Sequence, residues 1–146
     1  MAVPCPAPVR TWGSEVIRLC ALLATLAPAV AGAETPMTAE AFEAHVTGRT
    51  VTYQQAGLPF GIEEYLEGRK VRWSVSPDHC QYGSWYAEGD DICFVYEYDP
   101  NPACWTFWMR DGALVALSVN DLPGNELYET AQDDRPLPCP GPDVGV

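Results

Sequence analysis

Residues 80–119 read CQYGSWYAEGDDICFVYEYDPNPACWTFWMRDGALVALSV. They hold three of the chain's five tryptophans and three of its six cysteines. Four runs of apolar alternation lie here, Gln81–Ala87, Ile92–Tyr98, Ala103–Met109 and Ala113–Val119. Glu88-Gly89-Asp90, Asp99-Pro100-Asn101-Pro102 and Arg110-Asp111-Gly112 separate them. Such residues favour turns, because glycine accepts positive φ, proline fixes φ and Asp or Asn bonds its own backbone. Period-two alternation sends successive side chains to opposite faces. The stretch therefore predicts an antiparallel meander.

Upstream, Thr50–Gln54, Pro59–Leu66 and Arg69–Val75 extend the pattern. In the last of these, Val71, Trp73 and Val75 are predicted on one face and Lys70, Arg72 and Ser74 on the other. Arg69, Lys70 and Arg72 would then answer Glu63, Glu64 and Glu67 as exposed pairs, contributing about 0–1 kcal/mol each. Downstream, Glu126–Thr130 reads as a short further strand after Leu122-Pro123-Gly124-Asn125. A helix is expected over 38–47, with Thr38 as N-cap and Gly48 as C-cap. Phe42 and Val46, four apart, form one apolar stripe, as in a helix packed across the end of a sheet or barrel. His45 lies near that stripe's edge and reads as a surface or half-buried residue. The tail from Gln132 carries Pro136, Pro138, Pro140 and Pro142, which bars it from a central strand or a helix.

The expected fold is mainly β: a seven- or eight-stranded antiparallel up-and-down meander or small barrel, with a short N-terminal helix and a Pro-rich C-terminal tail. Closure would remove the aggregation-prone edges. Eight strands leave an interior that side chains fill or that holds one small ligand.

The N-terminus reads as a leader. Arg18 precedes the apolar run LCALLATLAPAVAGA, residues 19–33. The run ends in Ala31-Gly32-Ala33, a small-x-small cleavage pattern. Pro28 and Gly32 interrupt a run already too short to span a bilayer, so no transmembrane anchor is expected. Residues 1–15 are polar, with Pro4, Pro6, Pro8 and Glu15, which points to a translation start near Val16. Cys20 lacks a preceding small residue, which argues against a lipoprotein anchor. Cleavage after Ala33 leaves 34–146: a domain over 34–131, then the tail over 132–146. The expected location is the periplasm or the medium.

With 146 residues, 47% hydrophobic and 11% aromatic, the chain is one globular domain. Its net charge is −12. Residues 34–146 carry six basic and 19 acidic residues, a net −13. That excludes nucleic acid as the expected partner, since phosphate contacts need clustered Lys and Arg. A basic protein suits this charge better.

The remaining cysteines are Cys80, Cys93, Cys104 and Cys139, an even number that reads as two disulfides in an exported domain. A tight turn at Pro100-Asn101-Pro102 would put Cys93 opposite Trp108. Cys93 opposite Cys104 instead moves the turn to Tyr98-Asp99 and brings both prolines into the next strand, which a bulge allows. Spacing leaves two schemes open: Cys93–Cys104 with Cys80–Cys139, or Cys80–Cys104 with Cys93–Cys139.

The order helix, Gly48-x-Thr50, Gly83-x-Trp85, Cys93, Cys104-Trp105 resembles a loose group of small exported bacterial proteins. In that group a short helix precedes a lipocalin-like or avidin-like meander. The likeness covers most of 38–119 and implies a fold, a compartment and the pair Cys93–Cys104, but no activity.

No motif points to catalysis. Ser84 in Gly83-Ser84-Trp85-Tyr86 lacks the G-x-S-x-G elbow. Asp78-His79-Cys80 packs its ligands too closely for one ion, and the carboxylates Glu88, Asp90 and Asp91 sit at a solvated turn. No metal and no cofactor is expected. The aromatics Tyr53, Trp73, Trp85, Trp105 and Trp108, with Tyr86 and Phe107, are the candidates for a ligand cavity; the competing reading is an aromatic core. Trp105, Phe107 and Met109 alternate with Cys104, Thr106 and Trp108, so both faces of that strand are bulky. Three functions fit: a barrel holding a small apolar ligand, an interaction module such as an inhibitor of a basic envelope hydrolase, or an accessory envelope protein.

Overall fold

A computed structural model describes residues 34–76 and 79–139. The expected leader and start, Asp78, Pro140 and Pro142 lie outside these. Helix α1 (Ala39–Val46) is followed by eight strands. They are β1 (Arg49–Gln55), β2 (Leu58–Leu66), β3 (Lys70–Ser76), β4 (His79–Glu88), β5 (Asp91–Tyr96), β6 (Asp99–Arg110), β7 (Ala113–Ser118) and β8 (Leu127–Asp133). Each pairs with its sequence neighbour, and β8 returns to β1, closing an antiparallel barrel. Among the described residues no helix is long and apolar enough to cross a membrane.

The turns follow from local chemistry. Ala56-Gly57 joins β1 to β2 with both residues at positive φ (50° and 76°), and Asp111-Gly112 joins β6 to β7 likewise (51° and 83°). This left-handed pair matches the right-handed twist of the strands it connects.

Helix α1 begins where Thr38 Oγ1 accepts the Ala41 N–H at 3.2 Å. Phe42 and Val46 are completely buried, and they plug one end of the barrel. The Phe42 ring meets Phe107 at 4.5 Å, Trp85 at 5.2 Å, Tyr65 at 5.7 Å and Phe94 at 6.4 Å, centroid to centroid. The contacts with Trp85, Tyr65 and Phe94 are edge-to-face, a geometry that adds to the burial of apolar area. Val51, Val71, Ile92, Leu114 and Ala116 complete the core.

Two disulfides are present, Cys93–Cys104 and Cys80–Cys139. They belong to a protein that folds in an oxidising compartment. Cys93 lies directly opposite Cys104 across β5 and β6. The expected turn at residues 99–102 is thereby displaced to Glu97–Tyr98, and β6 starts at Asp99. Pro100, Asn101 and Pro102 fall in an irregularity between the pairs Phe94–Ala103 and Tyr96–Asp99. β7 pairs with β6 only from Trp105 onwards, so the prolines' missing N–H groups break no ladder.

Other expectations need correction. Val75 does not join the inward face: it is 66% exposed, because the β3–β4 register shifts between Ser74 and Ser76 at the rim. Strand β8 continues to Asp133, two residues into the expected tail, because Thr50 and Val51 of β1 pair with Asp133 and Gln132. Beyond it the chain crosses the outer face of β1, β2 and β3. There the Arg135 carbonyl accepts the Thr50 hydroxyl at 2.6 Å, and Leu137 N–H donates to Glu64 Oε2 at 2.9 Å. The disulfide to Cys80 then anchors Cys139. This cover turns Arg72–Glu64 (2.5 Å), expected as an exposed pair, into a largely buried one. Arg69 turns away to Glu43 of α1 at 2.8 Å, its guanidinium 4.6 Å above the Trp85 ring.

Candidate functional site

The end opposite α1 is not filled. A cavity of about 180 Å³ opens there, lined by Tyr53, Phe60, Glu63, Tyr65, Trp73, Phe94, Tyr96, Ala103, Trp105, Phe107 and Leu127. The residues at the mouth, Phe60, Trp73, Tyr96, Ala103 and Trp105, are half-buried or exposed. Those at the floor, Tyr53, Tyr65, Phe94 and Phe107, are buried. A cavity of about 150 Å³ is enough to hold benzene.

Two glycines make the walls thin enough for the large rings. Gly61 faces Tyr53 across β1 and β2, and a Cβ there would lie 2.2 Å from the Trp73 ring. A Cβ on Gly83 would lie 2.5 Å from the Val95 carbonyl oxygen and 2.8 Å from the Tyr96 ring. Both rings therefore pack directly against bare backbone. At the mouth the Phe60 ring stands 5.6 Å from Trp73 and 6.0 Å from Trp105.

Polar groups converge on the apolar floor. The Tyr53 and Tyr65 hydroxyls bond each other at 2.9 Å. Tyr96 donates its hydroxyl to Glu63 Oε2 at 2.8 Å. Glu63 is 3% exposed, and its Oε1 has no hydrogen-bond partner among the described residues. A buried carboxylate oxygen without a partner is costly, and native folds rarely keep one without a reason. Burial pushes the Glu63 carboxyl well above its ordinary 4.5, against the opposing pull of the Tyr96 hydrogen bond. Burial likewise raises Tyr53, Tyr65 and Tyr96, which stay neutral. Tyr96 acts on the Glu63 carboxyl, while Glu63 acts in turn on Tyr53, Tyr65 and Tyr96, and Glu129 of β8 acts on Tyr53. None of the chain's six Lys and Arg residues after position 33 lines the cavity.

Of the five aromatic candidates, the fold brings Tyr53, Trp73 and Trp105 to this cavity. Trp85 belongs to the plugged end, against Phe42, and Trp108 lies on the other side of β6, half-buried. The acidic side chain nearest a site by sequence, Glu88, meets the two cysteines Cys93 and Cys104, but both sulfurs are used in the disulfide, so the group is no metal centre. Glu63, read from the sequence as a surface partner of basic residues, is instead the interior carboxylate. The signal was present in the Glu63-Glu64 pair. Adjacent residues of a strand point to opposite faces, so in a closed barrel one of the two must point inward. Comparison with protein-family models, with curated proteins and with solved structures finds no match for this chain.

Proposed function

We propose that this domain is a non-catalytic binding barrel that takes one small, largely aromatic ligand into the cavity opposite α1. The supporting observation is the contrast inside one barrel: α1 fills one end with Phe42, while the other end keeps a hollow of about 180 Å³ with polar groups at its floor. Small clefts lined by apolar rings, with a few polar groups to fix orientation, are the usual form of ligand sites. The leader pattern over 19–33 and the two disulfides support an exported protein, periplasmic or secreted, consistent with the likeness to small exported meander proteins.

Native mass spectrometry of the oxidised protein, purified from the exporting cell and compared with the same sample denatured, tests this reading. An added mass present only in the native spectrum is expected. A bare monomer, together with no thermal shift on adding indole or toluene, would remove the ligand-binding reading. The second reading is a protein-interaction module for a basic partner. Exposed Tyr82 and Tyr86 of β4 and Tyr98 in the β5–β6 turn favour it, together with the net −13 of residues 34–146. Failure to retain any basic envelope hydrolase on the immobilised protein would end it.

A further inference from the structure

We propose that the ligand is a small organic ammonium, an aryl-alkyl primary or secondary amine, whose N–H donates to Glu63 Oε1 while its ring fills the hollow that Phe60, Trp73 and Trp105 wall. This rests on the binding reading above and names the chemistry of that site.

Four observations carry it. First, the Glu63 carboxyl already has one oxygen satisfied by Tyr96, and the other is buried without a partner beside the hollow. The neutral carboxyl of the empty site gives its proton to solvent when a cation arrives, and the ionised oxygen then takes a donor from that cation. Tyr96 donates to the carboxyl rather than accepting from it, an arrangement that favours the ionised form once an opposite charge arrives. Second, none of the six basic side chains lines the cavity, so the protein brings no cation of its own to this carboxylate. Third, the mouth is walled by the rings of Phe60, Trp73 and Trp105, whose electron-rich faces attract an alkylammonium as it passes. Fourth, the volume is that of one small aromatic molecule with a short arm. The excess negative charge of the chain would also draw a cation, and not an anion, toward the mouth.

Three probes of one size class separate the possibilities: 2-phenylethylamine, 2-phenylethanol and acetophenone. Each is titrated by calorimetry into the oxidised protein, with tryptophan fluorescence followed in parallel, since Trp73 and Trp105 line the site. The amine is expected to bind at least tenfold more tightly than the alcohol or the ketone. Glu63→Gln, which keeps the shape and removes the charge, is expected to abolish that preference, with the near-ultraviolet circular dichroism spectrum unchanged. Equal binding of all three probes to the unmodified protein would overturn the ammonium assignment and leave the binding reading standing. Tightest binding by the ketone would also overturn it, because it would make Glu63 a proton donor to a neutral acceptor. No binding by any probe would overturn both. The comparison among probes needs no variant, so a misfolded Glu63→Gln would not rescue the assignment.

Discussion

The two ends of this barrel are built from the same eight strands and yet have opposite interiors. At one end α1 inserts Phe42 and Val46, and aromatic rings from β2, β4, β5 and β6 close around Phe42. At the other end rings of equal size pack against Gly61 and Gly83 and enclose a hollow with the Glu63 carboxyl at its floor. Aromatic residues therefore do not by themselves make a core or a site. What differs is the presence of a plug, and of glycines where a ring must be kept off the axis.

The comparison can be broken most directly by shortening a ring at each end. Phe42→Ala should destabilise the domain by about 3–5 kcal/mol, the usual loss for a large ring removed from a close-packed core. Trp105→Ala, at the mouth, should cost no more than about 2 kcal/mol, because part of its surface already faces the hollow. Urea unfolding of both variants measures the difference; equal losses would mean that the open end is as tightly packed as the plugged one.

A second expectation concerns the Glu63 carboxyl at the floor of the open end. The folded Glu63 carboxyl titrates well above its ordinary 4.5, so the native state holds a proton that the unfolded chain has lost. Its stabilising contribution is complete below about pH 4.5 and is lost as pH rises toward the folded value. Unfolding free energies measured from pH 4 to pH 8 should therefore fall more steeply for the unmodified protein than for Glu63→Gln, by up to about 1.4 kcal/mol per pH unit. Parallel profiles would show that Glu63 is not held neutral. The smallest effect belongs to the plug's own anchoring. Thr38→Ala removes the hydroxyl that accepts the Ala41 N–H and should cost about 1 kcal/mol in thermal unfolding. Ligand-induced stabilisation at the far end should stay unchanged in that variant.

The likeness between sequence and fold is uneven for physical reasons. Arg69–Val75 alternates cleanly, and its Val71 and Trp73 do face inward. Val75 breaks the rule because a register shift at the rim is a property of two strands together, invisible in one. Pro100 and Pro102 read as a turn because proline lacks the N–H a ladder needs. They enter β6 because no partner strand asks them for one. In β2 the order Phe60, Ile62, Glu63, Glu64, Tyr65 follows no single period. Which glutamate faced inward was therefore undetermined until the register with β1 and β3 was fixed.

By itself the sequence determined the mainly β class, the approximate position of seven or eight strands, the amphipathic helix and the supply of four cysteines for two bridges. These depend on period-two alternation, turn chemistry and residue count, all of which are local. The tertiary structure alone decided the closure of β8 on β1, which cysteines pair, which end of the barrel α1 fills and which carboxylate faces the cavity. Each of these depends on register and on which distant segments meet. A one-residue slip in register exchanges the two faces of a strand. The same slip would have placed Glu63 under the C-terminal segment, where Glu64 meets Arg72 and Leu137, and Glu64 in the cavity.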